Sequence, residues 1–127
     1  MCFESGGKIE KSTKVRDRAY AFSLNIIHLY QQMKGKNEFV LSKQVLRSGT
    51  SIGANIEEAS AAQSRKDFIS KMSVASKEAR ETLYWLHLLR DSKICTEAEL
   101  AETIEELNQI IRMLTAIVKT SQSKMVK

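Results

Sequence analysis

A chain of 127 residues with no proline, few glycines and 43% hydrophobic residues, mostly aliphatic, has the length of one domain and the composition of a helical one. No apolar run reaches the roughly 18 to 20 residues that span a bilayer, and the opening MCFESGGKIEKS lacks a signal peptide's apolar segment, so a cytoplasmic protein without a membrane role is expected. The net charge of +5 is moderately basic, and the cysteines, Cys2 and Cys95, lie too far apart in sequence to suggest a CxxC zinc site or a disulfide framework.

The lead to about Ser12 shows no period and reads as loose, with Cys2 an exposed free thiol on it. Val15, Ala19, Phe22, Ile26, Leu29 and Met33 then recur at alternating gaps of four and three, the spacing that keeps side chains on one helical face. Ser12 is the expected N-cap of that helix and Gly35 its stop. After a turn around Lys36 and Asn37, the same spacing carries Leu41, Val45, Ser48, Ile52, Asn55 and Ala59. Gly49 and Gly53 flank this stripe, with Ser48, Ser51 and Ala54 nearby. A glycine inside a helix costs roughly 0.5 to 1 kcal/mol against alanine, so two of them imply either a close approach of another backbone or a break at 48–51. The unbroken apolar period on both sides favours the close approach, within the bundle or between subunits. Asn55 falls on the stripe, where a buried amide needs partners and would fix helix register.

A third helix begins at Ser64, with Asp67 three residues on in the pattern of a capping box, and carries Phe68, Met72, Ala75, Ala79, Thr82, Leu86 and Leu89. Leu83 and Trp85 widen its apolar face. Thr96 and Glu99 form a second box ahead of Leu100, Ile104, Leu107, Ile111, Leu114 and Val118, and the polar tail after Ser121 is expected to fray. The helices are placed at about 12–34, 38–62, 65–91 and 97–120. Joined by short turns, they predict an all-α, up-down-up-down antiparallel four-helix bundle in a single domain.

Charge is uneven: the first and third helices are basic, the second and fourth slightly acidic. Lys66, Lys77 and Arg80 share a face of helix three with Ser70, Ser73 and Tyr84, and Lys14 and Arg18 share one of helix one with Asn25, His28 and Gln32. Such stripes suit contact with phosphates, and an aromatic suits stacking on a base. The competing reading is a solvated face, with Lys77 and Arg80 paired to Glu78 or Glu81. Arg47, just off the core stripe, would either reach phosphate or pair with the same two glutamates. In an antiparallel bundle helices one and three sit diagonally, so one continuous patch on one subunit is not guaranteed.

No enzyme chemistry is indicated. His28 and His87 stand alone, Glu57 and Glu58 point about 100 degrees apart on a helix, and neither a Glu-x-x-His metal motif nor a phosphate-loop or nucleophile-elbow pattern occurs. A non-enzymatic protein without cofactor or metal is expected.

The segments LRSGTSIGANIEEA and DFISKMSVASKEARETLYWL resemble the bacterial four-helix-bundle family encoded in intervening sequences of large-subunit ribosomal RNA genes, also known as S23-like ribosomal proteins. The match extends in pattern from Val15 to Val118, and its specific part is Arg47 ahead of small residues and the run Ala54, Asn55, Ile56 and Glu58. Many members read proline before that run, where this chain has Gly53. The resemblance implies a homo-oligomer, pentameric in characterised relatives, and links the fold to the accessory protein of diversity-generating retroelements, which binds nucleic acid and a reverse transcriptase. Two functions are therefore weighed: an oligomer that binds RNA or DNA through Lys14, Arg18, Arg47, Lys66, Lys77 and Arg80, and an oligomeric scaffold for a protein partner with no nucleic-acid role.

Overall fold

The apolar stripes become the inside of a bundle. The computed structural model describes residues 11–125 and contains α1 (Lys11–Gly35), α2 (Leu41–Ser60), α3 (Arg65–Asp91) and α4 (Glu97–Met125). Each helix packs on its neighbours in chain order and α4 closes back on α1, while among the described residues the backbones of the diagonal pairs α1–α3 and α2–α4 do not approach closely. Cross-helix pairs fix the directions. Arg16 of α1 meets Glu57 near the end of α2, and Arg47 near the start of α2 meets Glu78 and Glu81 in the middle of α3, so sequential helices run antiparallel. Phe22, Ile26, Ile52, Met72, Leu86, Leu107 and Leu114 are fully enclosed in one core that also takes in Cys95 as a buried free thiol. Burial pushes that thiol's pKa up. Cys2 lies outside the described residues.

Gly49 and Gly53 sit where α1 crosses α2, inside one chain. A Cβ on Gly49 would come within 2.9 Å of Ile26 Cγ2, and one on Gly53 would stand 3.4 Å from Ser23 Oγ and 3.5 Å from the Ala19 carbonyl oxygen. The helix runs unbroken through both, as the period implies.

Three local readings are corrected. Ser12 falls inside the first turn of α1 rather than capping it. Helix α1 does stop at Gly35, and Asn37 completes the turn in the left-handed conformation (φ 65°) while Glu38 N–H donates to Met33 O and Asn37 N–H to Lys34 O. Helix α2 starts at Leu41, not 38, because the Glu38 carboxylate accepts from the N–H groups of Val40, Leu41 and Ser42 at 3.1, 3.0 and 2.7 Å, serving as the cap. Helix α4 continues to Met125 through the polar tail, with Ser121 buried. The expected caps at the other two starts form. Ser64 Oγ accepts from Asp67 N–H, and Thr96 and Glu99 make a reciprocal box.

Candidate nucleic-acid interface

The up-and-down order puts the starts of α1 and α3 at the same end of the bundle as the end of α4. No carboxylate follows Glu106 in the sequence, so the second half of α4 brings only Arg112, Lys119 and Lys124 to that end. Helix α4 packs on both α1 and α3, whose backbones do not approach each other closely. The two predicted basic stripes therefore do not fuse directly; they lie on either side of α4.

On one side, Lys14, Arg18, Gln109, Arg112 and Met113 line a shallow groove between α1 and α4. The Arg18 guanidinium donates to Gln109 Oε1 and lies 3.7 Å from Glu106, so part of its charge is already engaged. On the other side, Ser73, Ser76, Arg80, Thr115 and Lys119 line a groove of about 270 Å³ between α3 and α4. Arg80 donates from Nη2 to Thr115 Oγ1 at 3.1 Å. Lys77 is exposed one turn before it, and Lys66 is exposed in the first turn of α3, outside both grooves. Lys14, Lys66, Lys77 and Arg80 have no carboxylate partner within salt-bridge distance among the described residues.

Lys77 and Arg80 do not pair with Glu78 or Glu81, because those carboxylates are turned the other way. Arg47 takes both, Nη1 reaching Glu78 Oε1 at 3.3 Å and Nη2 bonding Glu81, and the Trp85 indole N–H adds a bond to Glu81 at 3.0 Å. The geometry favours the pairing reading of Arg47, on the α2–α3 side and away from the two grooves. Glu57 and Glu58 diverge as adjacent helical residues must: one reaches Arg16 of α1 at 2.6 Å, the other Lys71 of α3 at 3.6 Å. Asn55 is half-buried and bonds only within its own helix, to Ser51 O and Oγ at 2.9 and 3.1 Å. The polar link across the core is instead Ser48 with Thr82, whose hydroxyls are 2.8 Å apart.

The opposite end carries both signs, with three of its carboxylates gathered in one groove. There Asn25, His28 and Gln32 of α1 face Glu99, Glu102 and Glu106 across the wider part of the α1–α4 groove. Lys36 joins the two turns at that end, reaching the Glu99 carboxylate at 3.2 Å and the Ile94 carbonyl at 3.4 Å. Among the described residues no group of three His, Cys, Asp or Glu is placed to hold a metal ion, and no helix is long and apolar enough to cross a membrane. Arg112 and Lys119 are the members of the basic end that the sequence stripes omit; the run without carboxylates after Glu106 is the signal that marks them.

Fold and charge together define a helical-bundle protein with unpaired cations on α1 and α3 beside the cationic second half of α4, an acidic groove between α1 and α4, and a closed core. The chain belongs to the family of 23S rRNA-intervening sequence proteins, whose model matches residues 11–116. It is 45% identical to a protein of unknown function from the S23 ribosomal protein family of Bacteroides thetaiotaomicron, whose crystal structure it matches with a TM-score of 0.84 over 87% of this chain and 99% of that one. No curated protein matches the chain.

Proposed function

We propose that this protein is a non-enzymatic homo-oligomer that binds RNA or DNA through its basic end, as an accessory to a nucleoprotein complex. The observation that carries the reading is that Lys14, Lys66, Lys77 and Arg80, spread from the starts of α1 and α3 to the middle of α3, have no carboxylate partner among the described residues, beside a second half of α4 that adds only cations. Phosphate contacts of this kind are independent of sequence and fall with salt, because each releases condensed counterions. Self-association multiplies such a weak patch into avid binding. Its support lies in exposed apolar residues on diagonal helices, Tyr20, Leu24 and Ile27 on α1 and Tyr84 and Leu88 on α3. Apolar residues on opposite sides suit head-to-tail contacts, which close into a ring when the rotation allows. Five subunits is the number that the family resemblance implies.

The test is purification followed by titration. The expected results are nucleic acid co-purifying as raised absorbance at 260 nm and lost on a high-salt wash, and random RNA and DNA binding within about tenfold of one another, since nothing here reads base edges. Lys14→Glu with Lys77→Glu, one cation on each side of α4, should weaken binding and flatten its salt dependence. Unchanged affinity and slope in a folded oligomer refute the reading. The alternative, a scaffold for a protein partner, draws on the same Tyr20, Leu24 and Ile27 stripe and on the acidic groove of Glu99, Glu102 and Glu106. It takes over if the wild type binds no nucleic acid at low salt.

A further inference from the structure

We propose that the groove between α3 and α4 seats a phosphate group of a bound nucleic-acid strand between Arg80 and Lys119, and that Arg47, from the other side of α3, leaves Lys77 free beside this seat. The proposal rests on the nucleic-acid reading above and adds a defined site to it.

The groove's lining is cationic and hydroxylic. Arg80 and Lys119 supply charge, Ser73, Ser76 and Thr115 supply hydroxyls, and no carboxylate lines it. The larger α1–α4 groove differs in carrying Glu99, Glu102 and Glu106 on its wall, which repel an anion. At about 270 Å³ the seat has room for a phosphate and its bridging waters. Arg80 is held by Thr115 through one of its five N–H donors, which sets the guanidinium against α4 and leaves the remaining donors for a ligand. A side chain ordered beforehand loses less freedom on binding. Ser73, Ser76 and Arg80 lie at helical spacings that bring them to one face, so the hydroxyls reinforce the same seat.

On a helix Glu81 lies one turn after Lys77, on the same face, where the two would ordinarily pair. Here Arg47 binds Glu81, and Glu78 with it, toward α2. Arg47 is thus a positioning residue for the site: it need not touch the ligand, and its contribution is to withhold Glu81 from Lys77, the cation one turn before Arg80.

Binding of a labelled single-stranded oligouridylate, measured by fluorescence anisotropy over a salt series, tests both parts. Arg80→Gln and Lys119→Gln should each weaken binding severalfold and lower the slope of log affinity against log salt by about 0.7, the value for one single-strand phosphate contact. Ser76→Asp, which sets a carboxylate in the seat, should weaken binding further. Lys43→Gln, at the other end of the bundle, should change nothing. Arg47→Gln should weaken binding, and adding Glu78→Gln with Glu81→Gln should restore it; a direct phosphate contact by Arg47 would not be restored, and that result overturns the positioning role. Circular dichroism and light scattering confirm that each variant remains a folded oligomer, and Arg80 and Lys119 are exposed enough that their substitution spares the core. If wild-type protein binds the oligonucleotide and the groove variants match it in affinity and slope, the seat is refuted while the nucleic-acid reading stands. If wild-type protein binds no oligonucleotide, that reading falls, and the seat is judged by amide NMR shifts with inorganic pyrophosphate: saturable shifts at Ser76, Arg80 and Lys119 uphold a phosphate site, and their absence refutes it.

Discussion

Gly49 and Gly53 look equivalent in the sequence, yet the structure predicts opposite responses to one methyl group. Alanine in place of a helical glycine gains about 1 kcal/mol of backbone entropy and propensity. At Gly53 the added Cβ finds ordinary contact distances of 3.4 Å to Ser23 Oγ and 3.5 Å to the Ala19 carbonyl oxygen, so Gly53→Ala should keep most of that gain. At Gly49 it would stand 2.9 and 3.0 Å from the two γ carbons of Ile26. Ile26 is fully buried and β-branched, with one strongly preferred helical rotamer, and cannot swing clear. Overpacking of this kind costs about 1 to 3 kcal/mol, so Gly49→Ala should come out destabilising by up to about 2 kcal/mol. Ile26→Ala removes the obstructing carbons and alone costs about 2 to 5 kcal/mol through the cavity it leaves. In that background Gly49→Ala should turn stabilising, because only the propensity gain remains. Urea unfolding of the four proteins of this cycle, with Gly53→Ala alongside, measures the coupling. A Gly49→Ala protein more stable than wild type, or a cycle with no coupling, would refute the close-contact argument.

The other predictions concern polar groups. The Thr82 hydroxyl lies 2.8 Å from both Ser48 Oγ and the Glu78 carbonyl oxygen; with one proton apiece, Thr82 donates to the carbonyl and accepts from Ser48. Thr82→Val should then cost about 1 to 3 kcal/mol by orphaning a buried Ser48, and Ser48→Ala added to it should recover most of the loss in urea midpoints. The Glu99 carboxyl is held below its ordinary pKa first by the Thr96 backbone N–H and then by Lys36. A folded-state pKa below the unfolded one gives stability that is present above about pH 4.3 and lost as pH falls through the folded value, so Glu99→Gln should make unfolding less sensitive to acid across that window. Lys93 holds the left-handed conformation at φ 68° at the end of α3, so Lys93→Gly should raise the melting temperature by relieving a cost of about 1 kcal/mol, and a lower value would show that another contact dominates there.

The helices were legible because burial leaves a period. Stripes such as Phe22, Ile26 and Leu29 or Leu107, Ile111 and Leu114 report one buried face without reference to any partner, and they became one core. Helix ends were less legible, since several competing groups can satisfy the same backbone donors and acceptors. The stop at Gly35 was visible but the left-handed residue that completes the turn is Asn37, and Glu38 looks like a helical residue although its carboxylate serves as the cap. Polarity likewise hid the length of α4, because Ser121 is covered by packing that a local pattern does not reveal. Asn55 was singled out as the register-setting polar residue on its position alone, while the contact that crosses the core belongs to Ser48, whose partner Thr82 lies on another helix.

The candidate site was half legible for a geometric reason. Reading charge helix by helix assigns each helix one average, and α4 comes out acidic because Glu97, Glu99, Glu102, Glu105 and Glu106 outweigh its later cations. An antiparallel bundle mixes the halves of its helices differently: the beginnings of α1 and α3 share an end with the finish of α4. Along that axis the acidic half of α4 departs to one end, Lys119 joins Lys14 and Lys66 toward the other, and Arg112 meets Lys77 and Arg80 near the middle of the bundle's length. The same arrangement favours each helix on its own account, because carboxylates at the start of α4 and cations near its end both complement the helix dipole. A local stabilising pattern and a polarised surface are thus two consequences of one charge order in α4. Reversing that order in α4 alone would unsettle the helix and erase the basic end together, whereas Lys119→Gln removes charge from the proposed seat and leaves the first-turn carboxylates of the helix in place.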